Sequence, residues 1–180
     1  MALTITLIAI LLAVPAVDQL TKYLAMAATD GGAKAVPVIP GVLEWDIVRN
    51  SGASMGLFSD STGGRIFFMV FSVVGIALIA AILFGFRKKL EITAPAAICL
   101  AAVAGGGIGN MIDRTFFGET LFTGTVIDFI DFCAFPRFWK WTFNFADACI
   151  CVGIALFFLL TVIEEVKKMK EEKRKKEETK

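Results

Sequence analysis

Ile66 to Phe86 reads IFFMVFSVVGIALIAAILFGF and contains no ionisable side chain. At about 1.5 Å of rise per residue, a helix of that length covers the roughly 30 Å hydrocarbon core of a bilayer. Three further segments reach the same length, placing four spans at about 2–26, 66–86, 92–112 and 144–163. The whole chain agrees: 57% of its 180 residues are hydrophobic and 19% charged, and the mean hydropathy of +0.73 is far above that of soluble domains. We therefore expect an all-α membrane protein with a small β element. Residues 1–166 form one transmembrane domain and residues 167–180 a charged tail. The first span lacks a basic flank and carries Asp18 and Lys22, which argues for a retained helix over a discarded signal peptide.

Basic residues give the orientation. They gather as RKK at Arg87–Lys89 and in the tail, which holds eight of the eighteen Lys and Arg. Both clusters belong on the cytoplasmic side. Both termini then lie inside, and loops 27–65 and 113–142 lie outside. AVPVIPGVLEWDIVRN, in the first loop, has β-formers on both sides of a Pro-Gly turn at Pro40 and Gly41. The second loop carries seven Phe and two Trp between Thr115 and Thr142. With Arg137 and Lys140 these predict an interfacial helix.

Composition also excludes chemistry. Net charge is +1 and nothing points to nucleic acid. The chain has no histidine, so Ser-His-Asp triads and His-based zinc sites are impossible. Cys99, Cys133, Cys149 and Cys151 form no CxxC pair and read as packing residues. No metal or cofactor is expected.

Ionisable groups are costly in a membrane and mark candidate sites. Five clusters qualify. Asp18 and Lys22 share one helical face at i and i+4, as a structural ion pair or as holders of a substrate. Arg49 and Asn50 open RNSGASMG, in which Gly52 permits close backbone approach. Gly105–Arg114 reads GGGIGNMIDR; its glycines allow either tight helix packing or a cavity for an apolar guest, and Asn110, Asp113 and Arg114 follow within about one turn. VIDFIDF, 126–132, contributes Asp128 and Asp131, and FNFADACI, 143–150, contributes Asn144 and Asp147.

Asp128 and Asp147 are nineteen residues apart across an aromatic stretch containing Pro136, and so sit on different elements. Two carboxylates brought close cannot both ionise. They share one proton, so that one activates water while the other donates to a scissile carbonyl. Two other chemistries compete. A proton pathway needs acids along the whole membrane normal, and here they gather at one depth. A Ser-Lys hydrolase would pair Lys22 with Ser51 or Ser54.

VDQLTK, NSGASMG, GGGIGNMIDR, VIDF and FNFAD, in this order from Asp18 to about Gly153, resemble the bacterial lipoprotein signal peptidases, also called signal peptidase II. The resemblance implies an inner-membrane aspartyl endopeptidase with an extracytoplasmic β-cradle and a surface helix. Its substrate is a prolipoprotein, cut before a cysteine that carries diacylglyceryl. The family's catalytic acids fall on Asp128 and Asp147, and its supporting residues on Asp18, Lys22, Asn50, Gly52, Asn110, Asp113, Arg114 and Asn144. It also implies contact with membrane lipid and inhibition by globomycin. Ser54 and Met55 depart from the family's more usual Ala and bulky aromatic. Asp131, at i+3 from Asp128, has no matching role; it is expected to face water or pair with Arg137 or Lys140.

Overall fold

The structure is a computed structural model that describes residues 1–51, 62–134, 139 and 141–178, with the side chains of 62–65 excepted. Among the described residues, four helices are long and apolar enough to cross a membrane. α1 is Ala2–Ala28. β1, Val36–Ile39, and β2, Leu43–Asn50, follow it. α2, Thr62–Ala80, runs on into a π-helical turn, Ala81–Phe86, and α3 is Ala94–Phe116. β3, Val126–Asp131, precedes α4, Phe145–Glu178. The charged residues 167–178 continue α4 as an exposed helix.

α3 is the spine, packing against α1, α2 and α4. It is the one span with half of its apolar stretch buried, whereas α2 buries 6% of its own. Its composition explains this. Gly105 lies against Val14 of α1, Gly106 against the Ala146 carbonyl of α4, Gly107 against Ile76 of α2 and Gly109 against the Asp18 carboxylate. Gly153 of α4 returns the contact on Cys99 and Val103. Van der Waals contact drives helix association where lipid is as apolar as the side chains. The glycine face is therefore filled by neighbouring helices, which corrects the alternative of an open cavity. At the end remote from the sheet, Leu7, Leu83, Ala97 and Ala101 form a small core. Ile5, Leu12, Phe71, Leu78 and Phe158 face outward, the surface that lipid covers.

The sheet sits at the other end, in the order β1-β2-β3, antiparallel throughout. The expected hairpin of the first loop is β1 and β2; the third strand was not foreseen. It is VIDFID itself, paired so that Val48 faces Asp128, Arg49 faces Ile127 and Asn50 faces Val126. Asp128 and Asp131 therefore project to opposite faces, because side chains alternate along a strand. Between Phe117 and Ala134 the chain is loop and strand, and the part of this loop where Arg137 and Lys140 predict an interfacial helix lies largely outside the described residues. Residues 135–138 and 140, with Arg137 and Lys140, lie outside the described residues, as do Gly52, Ser54 and Met55.

A Cβ at Gly106 would fall 2.5 Å from the Ala146 carbonyl oxygen, whereas one at Gly75 would meet nothing within 4 Å. Gly106→Ala should destabilise the protein by about 1–3 kcal/mol through overpacking. Gly75→Ala should be neutral or stabilise it by up to about 1 kcal/mol. Thermal denaturation of the two variants in one detergent checks the contrast.

Candidate active site

One polar network occupies the junction of the sheet with α1, α3 and α4. Its centre is the Lys22 ammonium, 2.7 Å from Asp18 and 2.8 Å from Asp113, with all three side chains buried. The i,i+4 pair read from the sequence is thus the smaller part of an ion triad that joins α1 to α3. Each acid uses its second oxygen, or a second lone pair, to tie down another element. Asp18 accepts the Ala146 N–H of the first turn of α4 at 3.0 Å, where unsatisfied donors and the helix dipole favour an anion. Asp113 accepts the Ile127 N–H of β3 at 3.0 Å. The triad fixes the two elements that carry Asp128 and Asp147.

Gln19 belongs to this network and sequence reasoning missed it. Its amide donates to Asp113 at 2.7 Å and to the Gly109 carbonyl at 3.2 Å. A signal was present: an amide inside an apolar span is itself expensive, but it stood between two charged residues that drew the attention.

The two candidate acids meet through Asn144. Phe143 bridges to Ile130 beyond the edge of β3, its N–H donating to the Ile130 carbonyl at 3.2 Å and its own carbonyl accepting from Ile130 at 2.8 Å. That contact delivers the next residue to the strand. The Asn144 amide donates to Asp128 at 2.7 Å. Its backbone N–H donates to Asp147 at 3.3 Å, and its Oδ1 accepts the Asp147 N–H at 2.8 Å. The reciprocal pair is a capping box with Asp in place of Glu at the third helical position. The same short motif starts α4 and brings Asp147 to Asp128.

Two more amides complete the surroundings. Asn110 donates to Asp147 at 2.7 Å, and its Oδ1 accepts from Lys22 at 3.1 Å and from Asn144 at 3.0 Å. With its oxygen held by those two donors, its nitrogen must face Asp147. Asn50 donates to Asp128 at 2.9 Å; as the partner of Val126 it is the diagonal neighbour of Asp128 on one sheet face. Arg114, in the last turn of α3, interacts electrostatically with Asp147, Asp128 and Asp113. Burial, reinforced by the Asp147 charge, pushes the Asp128 carboxyl up to about 7, against the Asn50 and Asn144 donors that favour its ionised form.

Of the ten residues marked in the sequence, the structure brings nine into this one site, and Gly52 lies outside the described residues. Asp131 stands apart, half-buried and opposite Glu44 on β2. Among the described residues no cluster of three or more Cys, Asp or Glu is arranged to hold a metal ion.

Comparison with known proteins gives one answer. The sequence model of signal peptidase (SPase) II matches residues 10–163. The chain is 36% identical over 155 residues to the lipoprotein signal peptidase of Geobacter metallireducens, covering 86% of this chain and 89% of that one. It is 35% identical over 158 residues to that of Listeria monocytogenes, covering 88% and 94%. Its fold is similar to a bacterial membrane enzyme solved by the in meso method at 2.3 Å resolution, with a TM-score of 0.74 and 29% identity over 91% of each chain.

Removing one partner of a buried ion cluster leaves charges uncompensated, a loss of about 3–5 kcal/mol. Lys22→Met, which strands Asp18 and Asp113 together, should therefore destabilise the protein by that order. The triple change that adds Asp18→Asn and Asp113→Asn should recover part of the loss, as read by thermal denaturation in detergent.

Proposed function

The chain belongs to the signal peptidase II family, a family of membrane proteases, and from that premise we propose that it cleaves the signal peptide from prolipoproteins by means of Asp128 and Asp147. The observation that carries this reading is the pair of carboxylates bound to one asparagine. Asn144 donates to both, and the Asp147 charge acts on Asp128, which supports a pair close enough to share a proton.

In the proposed mechanism Asp128, raised to about 7, holds the shared proton, and Asp147, in the first turn of α4, holds the charge. Asp147 takes a proton from a water bound between the two, and that water attacks the scissile carbonyl. Asp128 donates to the carbonyl oxygen as the tetrahedral intermediate forms. Arg114 stabilises negative charge as it develops. Collapse of the intermediate returns a proton to the leaving amine, and the pair is left with one proton for the next cycle.

The substrate, on this reading, is a prolipoprotein whose acyl chains remain in the bilayer. It is cut on the N-terminal side of a diacylglyceryl cysteine, where the bond lies at the membrane surface. A site at the end of the spans suits that depth. The same reading gives a bacterial inner-membrane location, cytoplasmic termini, an active site on the outer side, and inhibition by globomycin at the substrate site. The positive clusters at Arg87–Lys89 and in the tail support the orientation. The Ser-Lys alternative is disfavoured, because the Lys22 amine is engaged by the Asp18 and Asp113 carboxylates and the Asn110 amide oxygen.

Cleavage of a diacylated prolipoprotein by the purified protein tests the proposal. Asp128→Asn and Asp147→Asn should each reduce kcat by several orders of magnitude, and Asp131→Asn should leave it nearly unchanged. Full activity in either of the first two would refute the pair.

The pH profile is a separate prediction. Cleavage needs Asp128 protonated, so kcat/KM should fall as pH rises through about 7, approaching tenfold per pH unit. Because the Asn50 donor holds that pKa down, Asn50→Ala should move the alkaline limb to higher pH. A limb that stays in place or moves down would contradict the assignment of the proton.

A further inference from the structure

The segment Thr115–Gly124, the last two residues of α3 and the loop that leads on towards β3, presents Phe116, Phe117, Leu121 and Phe122 outward, each more than half exposed. Glu119 is its one ionisable residue. It is a built structure. The Phe122 N–H donates to the Thr115 carbonyl at 3.1 Å and the Gly124 N–H to the Arg114 carbonyl at 3.0 Å. Thr123 accepts the Thr120 N–H at 3.0 Å and donates to the Thr120 carbonyl at 2.7 Å. Gly118 and Gly124 lie backbone to backbone, since a Cβ on Gly118 would fall 2.5 Å from the Gly124 nitrogen.

Within this frame Phe122 has φ +68°, a left-handed conformation that is strained for a bulky residue. Strain held in a rigid frame so that an aromatic ring faces outward points to a use for that ring. The loop leaves α3 at Phe116, the last residue of an apolar span, so its side chains emerge at the depth where hydrocarbon gives way to headgroups. Exposed aromatics with almost no charge suit that layer, whereas an electrostatic partner would require charges that the loop lacks.

We propose that residues 115–124 are a membrane anchor whose apolar side chains insert into the interfacial layer of the bilayer and set the depth of Asp128. The mechanical link is short. The Gly124 backbone rests against the carbonyl of Asp113, whose carboxylate holds the Ile127 N–H next to Asp128. Insertion of the loop stands alone; its effect on cleavage rests on the peptidase reading above.

Two experiments test this. Phe122→Trp is reconstituted in phosphatidylcholine vesicles, and its fluorescence beyond that of the parent's Trp45, Trp139 and Trp141 is measured. The added emission should be quenched strongly by lipids brominated near the glycerol and weakly by aqueous iodide. Quenching by iodide alone would overturn the anchor. So would protection from iodide that appears only when a prolipoprotein is added, which would make the loop a peptide-docking surface. The second variant, Phe122→Gly with Leu121→Ser, relieves the strained φ while removing two anchors. It should keep the parent's thermal stability and its cleavage rate in micelles, yet cleave several-fold more slowly in vesicles, with the deficit changing with bilayer thickness. Equal rates in every bilayer would overturn the depth role. Absence of cleavage by the parent even in micelles would refute the peptidase reading and leave the fluorescence result to decide insertion.

Discussion

A buried ammonium between two buried carboxylates is the interaction on which the site depends. Removing Lys22, Asp18 and Asp113 from water is expensive, and their mutual attraction offsets it only because each carboxylate oxygen and each ammonium proton has a partner. Those partners are the backbone N–H of Ala146, the backbone N–H of Ile127 and the amides of Gln19 and Asn110. Satisfying the ions thus requires α4 and β3 to dock where they do. In a medium without water the demand for hydrogen bonds acts as an address, and each proposed acid is the residue that follows an addressed group.

Close packing makes this possible. Asp18 reaches the α1–α3 interface because Gly109 has no side chain, and the start of α4 reaches α3 because Gly106 has none. The glycines and the charges are one arrangement: the first bring backbones within reach, and the second fix which atoms meet. A larger residue at Gly109 would collide with the carboxylate itself, with Asp18 Oδ2 2.7 Å from the place of its Cβ.

Much of this was legible in the sequence, for identifiable reasons. Spans show themselves by length and apolarity, so all four helices were found; their ends were not, because helical hydrogen bonding carries α3 through Asp113 and Arg114 to Phe116, past the polar residues taken to lie beyond the span. Site residues stood out because a charge or amide in an apolar run is costly, and the family motifs assigned them. What local pattern could not supply was pairing. VIDFID is apolar on both faces except for its acids, so the two-residue period of a strand was hidden, and its partner in β2 lies 78 residues earlier, as in the Asn50–Asp128 bond. The glycine stripe left packing and cavity open because the choice depends on whether another backbone arrives. Gln19 was overlooked for a similar reason: its worth lies in Asp113, 94 residues away.

The capping box of α4 has a consequence for how the molecule comes into being. Asp147 belongs to the last helix, and the N–H beside it is claimed by Asp18, 128 residues upstream. During synthesis the chain therefore holds Asp128 for some time with no counterpart, and the second acid arrives only when the final span docks and its first turn is secured from the opposite end of the sequence. On the proposed reading, a chain whose α4 has not docked holds only half of the acid pair, so completing the fold and assembling the pair are one event.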